Sequence, residues 1–213
     1  MRKGFFFDLD GVVFNTEPLY SQFWGEVGKR LLPGIPDFAK QIKGQTLPQI
    51  LDAYFSGQLA AERDDVVSLL NDFEAHMDFP YVPGFLDFIK WLDNKGADTA
   101  LVTSSNQMKM AQVYRRYPDF KRLFKEILTA EDFNESKPSP DPYLKAAERF
   151  ALSPEECVGF EDSFNGLKSL RAAGMKVVGL ATTNPPQAIG ELADYVISDY
   201  TAPEALVRWL ETL

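Results

Sequence analysis

The 213-residue chain has a single cysteine, Cys157, and a single histidine, His76. One cysteine excludes an intrachain disulfide and any cysteine-based zinc site, which fits a reducing compartment. Basic residues are also in deficit: Lys and Arg total 22 against 31 Asp and Glu, a net charge of −9. Nucleic acid and anionic membranes both need a basic surface, so neither is expected as the main partner. No apolar run approaches the roughly 18 residues of a membrane span. Asp8 and Asp10 interrupt the opening apolar run too early for a signal peptide, and the expected location is the cytoplasm. Repeats and low-complexity segments are missing as well. The hydrophobic share of 45% and charged share of 25% are those of a folded globular chain. This length suits one large domain, or one domain with an insertion, and buries a sizeable core.

Phe5-Phe6-Phe7 reads as a short buried strand that ends at the turn Asp8-Leu-Asp-Gly11. From Thr16 to about Phe79 the pattern is helical. Thr16 is a candidate cap, Pro18 suits a first turn, and Leu19, Phe23, Val27 and Leu31 follow at helical spacing. Further helices are expected through Leu47–Phe55 and through Val66–Met77. After Pro83-Gly84 strands and helices alternate. Strands are predicted at 99–102, 127–128, 157–160, 177–180 and 195–197. Helices are predicted at 85–92, 107–117, 142–150, 164–173 and 203–213. This alternation implies a doubly wound α/β fold: a mostly parallel, Rossmann-like sheet covered on both faces. The division expected is a core of residues 1–15 and 80–213, with a small all-helical insertion at 16–79.

An open sheet of this kind sets its site at the carboxyl ends of its strands. Four groups sit there: Asp8 and Asp10, Thr103 and Ser104, Lys137 in Ser136-Lys-Pro-Ser-Pro140, and Glu161-Asp162. Each alone has an ordinary explanation. Asp-x-Asp-Gly is often a turn, Thr-Ser-Ser or Glu-Asp-Ser before a helix is usually a cap, and Ser-Lys-Pro is usually an exposed loop. Together they gather four carboxylates at one edge, which repel one another and call for a cation. Oxygen-only ligands favour Mg²⁺. A metal, one amine and two hydroxyl residues suit a phosphate, and a carboxylate can attack its phosphorus.

In this order and spacing, FFFDLDGVVFNTEP, LVTSSN, SKPSPDPY and GFEDSFNG resemble the four motifs of the haloacid dehalogenase superfamily. The likeness spans residues 5 to about 182 and is closest to the branch of phosphatases and β-phosphoglucomutases. The resemblance implies that Asp8 is the nucleophile and forms an aspartyl-phosphate, while Asp10 is the general acid and base. Thr103 and the backbone N–H of Ser104 would bind the phosphoryl group, with Asn106 beside them. Lys137 would hold the Asp8–phosphate pair. Asp8, the main-chain carbonyl of Asp10, and Asp162 would hold Mg²⁺, with Glu161 orienting or joining that shell. The 16–79 insertion would be a cap hinged near 14–16 and 79–83, meeting the leaving group through Tyr20, Lys43, Gln45 and Thr46. An aspartate at position 10 marks phosphate esters, because a halide leaving group needs no proton.

Two positions depart from the mutases in this branch: Tyr20 stands for a cap histidine and Leu47 for a cap arginine that holds a second phosphate. Asn15 stands where many relatives have aspartate. The expected activity is therefore Mg²⁺-dependent hydrolysis of a small phosphomonoester, a sugar phosphate. A β-phosphoglucomutase-like phosphomutase is the first alternative. The second is a receiver-type signalling or non-catalytic phosphate-binding protein, although a receiver is shorter and has no helical insertion. The expected partner is a small phosphorylated metabolite, and the expected state is a monomer or weak homodimer. His76 is read as a surface or packing residue, and Cys157 as an inert start to a buried strand. Lys109, Arg115, Arg116, Lys121, Arg122 and Lys125 form a basic run expected to be a solvated face.

Overall fold

The three phenylalanines form β1 (Gly4–Phe7) at the centre of the molecule, buried along its whole length. A computed structural model describes residues 3–43 and 45–213; Met1, Arg2 and Gly44, the second residue of the Lys43–Leu47 segment, lie outside it. β1 is followed by α1 (Glu17–Leu31), α2 (Phe38–Gln41), α3 (Leu47–Tyr54) and α4 (Arg63–His76). The alternating part then runs α5 (Phe85–Asn94), β2 (Asp98–Val102), α6 (Gln107–Arg116), β3 (Glu126–Leu128), α7 (Asp141–Arg149) and β4 (Cys157–Glu161). It continues through α8 (Phe164–Ala173), β5 (Lys176–Leu180), α9 (Pro186–Ile189), β6 (Tyr195–Ile197) and α10 (Pro203–Thr212).

The six strands are all parallel, in the order β3-β2-β1-β4-β5-β6. The direction of winding reverses between β1 and β4, and a crevice opens at the carboxyl ends of such a strand pair. Side chains alternate across β1. Phe5 and Phe7 enter the layer under α5, α6 and α10, while Phe6 enters the layer under α7 and α8. Phe7 stacks on Phe160 of β4 with ring centres 4.4 Å apart, which ties together the two strands that flank the crevice.

The helices α1–α4 have a separate core built on Trp24, Phe38, Ile50, Phe55, Val66 and Leu70. The buried stripe of α1 passes through Trp24 and Val27; Leu19, expected on it, is only half-buried. The chain leaves and re-enters the sheet by two connections that pair with each other. Asn15 N–H donates to the Pro80 carbonyl at 2.7 Å and Val82 N–H to the Val13 carbonyl at 2.9 Å. Phe14, fully buried between them, packs on Phe79 and Tyr81.

Element boundaries fall within a few residues of those expected from the apolar pattern. The short α2 and α9 were not foreseen, nor was the 3-10 segment Gly57–Glu62. Four residues carry too little periodicity to mark a helix. Glu161 closes β4 instead of following it.

Candidate active site

β1 and β4 are neighbours in register, Phe7 opposite Phe160, so Asp8 leaves one strand beside Glu161 at the end of the other. Gly11 makes the turn after Asp10 with φ of +76°. A Cβ there would overlap the Asp162 carboxylate, so only glycine fits both the dihedral and the space. Gly166, in the first turn of α8, does the same for Glu161: a side chain there would collide with its carboxylate.

Asp8, Glu161 and Asp162 offer carboxylate oxygens within 4.8 Å of one another. Lys137 reaches into them from its loop. Its Nζ donates to Asp8 Oδ1 at 2.7 Å, to Glu161 Oε1 at 2.6 Å and to the Val102 carbonyl at 3.0 Å. Burial opposes the charge on Lys137, but Asp8 and Glu161 outweigh it and hold the ammonium above the usual lysine range. Glu161 is wholly buried and closely bonded. Tyr143 O–H donates to Oε1 at 2.7 Å, and Oε2 accepts from the backbone N–H groups of Asp162 and Ser163 and the Ser163 hydroxyl. Asp162 accepts a hydrogen bond from the Thr183 hydroxyl. Burial first, and then the charges of Glu161 and Asp10, push Asp8 up to about 7 despite Lys137. Burial and the Glu161 and Asp8 charges push Asp162 well above the ordinary carboxylate range.

One ammonium does not balance three carboxylates, and their mutual repulsion adds to the burial that raises Asp8 and Asp162. A hard divalent cation with oxygen ligands is the group this donor set fits.

The Asp10 carboxylate stands outside this cluster. Its Oδ1 accepts from Thr16 at 2.5 Å, and its Oδ2 accepts from Lys109 at 2.5 Å and from Ser105 at 3.3 Å. Two expectations are corrected here. The side chain of Lys109 is only 7% exposed and is ion-paired with Asp10, so it leaves the solvated basic run, whereas Arg115, Arg116, Lys121, Arg122 and Lys125 are exposed. Thr16 occupies the cap position of α1 without capping it, because its hydroxyl is given to Asp10.

Thr103 is buried after β2, and its hydroxyl accepts from Ser105 N–H at 3.0 Å. Asn106 caps α6, accepting from Lys109 N–H at 2.9 Å. Asp8, Asp10, Thr103, Ser104, Asn106, Lys137, Glu161 and Asp162 all line one cavity of about 460 Å³. Tyr20, Lys43, Gln45 and Thr46, from the 16–79 segment, line the same cavity. Several of these are occupied. Tyr20 O–H donates to Glu74 at 2.7 Å, and the Lys109 ammonium lies 4.6 Å from the centre of its ring. Lys43 pairs with Glu17 at 3.2 Å and donates to the Thr183 carbonyl at 3.3 Å, joining the helical segment to the sheet. Thr46 caps α3 in a reciprocal pair with Gln49, and Gln45 bonds its own neighbour Gln41.

Sequence reasoning missed Glu17, Glu74 and Lys109. A signal for the first was present: Glu17 lies one turn before Tyr20 on the same helix face. His76 is exposed and bonded within its own helix, and Cys157 is buried, as expected.

The family model of haloacid dehalogenase-like hydrolases matches residues 2–174. The chain is 30% identical over 183 residues to a phosphorylated carbohydrates phosphatase of Thermotoga maritima, covering 80% of this chain and 81% of that one. It is 29% identical to hexitol phosphatase A of Escherichia coli, covering 84% and 82%. Among solved structures, a HAD hydrolase of family IA, variant 3, from Entamoeba histolytica superposes with a TM-score of 0.79 over 93% of each chain at 22% identity.

Proposed function

Because the chain belongs to the haloacid dehalogenase-like hydrolases, we propose that it is a Mg²⁺-dependent phosphatase acting on a small phosphomonoester, a sugar phosphate, through an aspartyl-phosphate at Asp8. The names of the Thermotoga and Escherichia relatives point to the same substrate class. The observation that carries the reading is the convergence of Asp8, Lys137 and Asp162 from three separate segments, with Asp10 lining the same cavity.

Asp8 attacks phosphorus while the ester oxygen leaves and takes a proton from Asp10. In the second step Asp10 takes a proton from water. That water attacks phosphorus, releasing inorganic phosphate and restoring Asp8. Lys137 neutralises Asp8 and the phosphoryl oxygens together, and the Thr103 hydroxyl and Ser104 N–H hold those oxygens. The leaving oxygen reaches Asp10 by displacing Lys109 or Ser105 from Oδ2. Asp8 and Asp162 would hold Mg²⁺, which supplies charge neutralisation as phosphorus changes partner. Glu161, whose oxygens already accept five hydrogen bonds, acts as the buttress of Lys137. Residues 16–79 act as a cap, with the paired 13–15 and 80–82 connections as its hinge. Tyr20 is bonded to Glu74 and Leu47 is apolar, at the positions where related mutases carry histidine and arginine, so transfer to water is favoured over transfer to a second sugar.

The test is phosphate release from a panel of sugar phosphates with and without Mg²⁺, for the wild type and Asp8→Asn. Mg²⁺-dependent release by the wild type and none by the variant is expected. Equal release by Asp8→Asn would overturn the assignment of Asp8.

A further inference from the structure

The cavity wall is rich in carboxylates and has no free cation among the described residues. Among the described residues, six carboxylates and three ammoniums line it. Each ammonium is already engaged: Lys43 with Glu17, Lys109 with Asp10, and Lys137 with Asp8 and Glu161. No arginine or histidine among the described residues lines the wall. With a divalent cation at Asp8 and Asp162 and the proton that Asp10 gives to the leaving oxygen, the lining charges only just balance, so no cation is left over for a second anion on the substrate. Glu17 and Glu74 line the same cavity as the hydroxyls of Tyr20 and Ser21, the amide of Asn71 and apolar Trp24, and Glu74 accepts from the Tyr20 hydroxyl. Burial lifts both glutamates above the ordinary carboxylate range, against the pull of Lys43 on one and Lys109 on the other. Acceptors, hydroxyls and an apolar shelf are what a hydroxylated carbon chain requires of a site. The volume, about 460 Å³, holds one small molecule.

We infer that the leaving group is uncharged, a polyol or sugar bearing one phosphate, and that Glu17 and Glu74 exclude substrates carrying a second anion. Glu17 acts twice. It repels the second anion directly, and it occupies Lys43, the one ammonium on the cap wall that could otherwise receive it. Glu74 ties up no ammonium by a direct bond: its hydrogen-bond partner is the neutral Tyr20, and Lys109 acts on it only through space. This inference rests on the phosphatase reading and adds the charge of the part of the substrate that departs.

The experiment compares sorbitol 6-phosphate with 6-phosphogluconate. The two have the same chain length and phosphate position, and differ at the far end by a hydroxymethyl against a carboxylate. Each is measured as a substrate and as a competitor of p-nitrophenyl phosphate hydrolysis with Mg²⁺ present. The wild type is expected to favour sorbitol 6-phosphate by about a hundredfold in kcat/KM or in inhibition constant. Glu17→Gln is expected to narrow that ratio roughly tenfold by improving 6-phosphogluconate, and Glu74→Gln to narrow it in the same direction. Glu74→Gln reads the effect independently if Glu17→Gln does not fold. Equal preference in the wild type, failure of both compounds to compete, or an unchanged ratio in the folded variants would overturn the inference while p-nitrophenyl phosphate turnover leaves the phosphatase reading standing. Loss of all Mg²⁺-dependent turnover in the wild type would instead overturn the phosphatase reading, and this inference with it.

Discussion

Replacing Lys137 by methionine keeps most of the side-chain volume and removes its charge and three hydrogen bonds. The Nζ of Lys137 is the only cationic group bonded to Asp8 and Glu161 among the described residues. Its loss leaves two carboxylates facing Asp162 within 4.8 Å, all three at the buried end of the sheet. Breaking a buried ion pair by removing one partner costs about 3–5 kcal/mol, because the remaining charge stays desolvated. For a chain of this size each kcal/mol moves the melting temperature by about 2–4 °C, so metal-free Lys137→Met should melt about 6–20 °C below the wild type. Mg²⁺ should recover part of the loss, since it neutralises the same carboxylates. Turnover should not recover, because nothing else neutralises the Asp8–phosphate pair. Thermal melts in EDTA and in Mg²⁺, followed by far-ultraviolet circular dichroism, measure both effects. A metal-free variant as stable as the wild type would refute the claim that Lys137 offsets the buried charges of Asp8 and Glu161.

Gly11→Ala should lose Mg²⁺-dependent activity and melt at a lower temperature. The left-handed φ alone costs about 1–2 kcal/mol, and the new methyl also pushes on Asp162. Full activity with unchanged melting would contradict the role given to this turn. Burial, followed by the Glu156 charge, pushes the Cys157 thiol up to about 12. It should therefore resist thiol-specific reagents at pH 8.5 in the native protein and react on unfolding. The folded pKa is raised, so the unfolded chain ionises first and the thiol's contribution to stability declines as pH rises above about 9. Rapid labelling of the native protein would contradict the burial of this strand.

The sheet was legible because each buried parallel strand is a short apolar run closed by a turn, and Asp8 and Asp162 each follow such a run. Asp8, Asp162 and Lys137 were found as strand-end or loop residues, and their gathering follows from topology alone. Lys109 was not legible. Within a basic run it looks like its neighbours, and what buries it is Asp10, 99 positions away, with the Tyr20 ring alongside. Thr16 misled for the opposite reason: a local rule for caps predicted its use, and a tertiary partner took the hydroxyl instead. Glu74 lies on a helix whose apolar face packs inward, and only the fold brings it to Tyr20 from 54 positions away.

The central claim is that Asp8 and Asp162 share one divalent ion. Crystals grown with Mn²⁺ and measured near its absorption edge test it directly. The account predicts one anomalous peak between the Asp8 and Asp162 carboxylates, beside the Lys137 ammonium, and its loss in Asp162→Asn. An occupied Mn²⁺ site elsewhere, with none between these two residues, would contradict it.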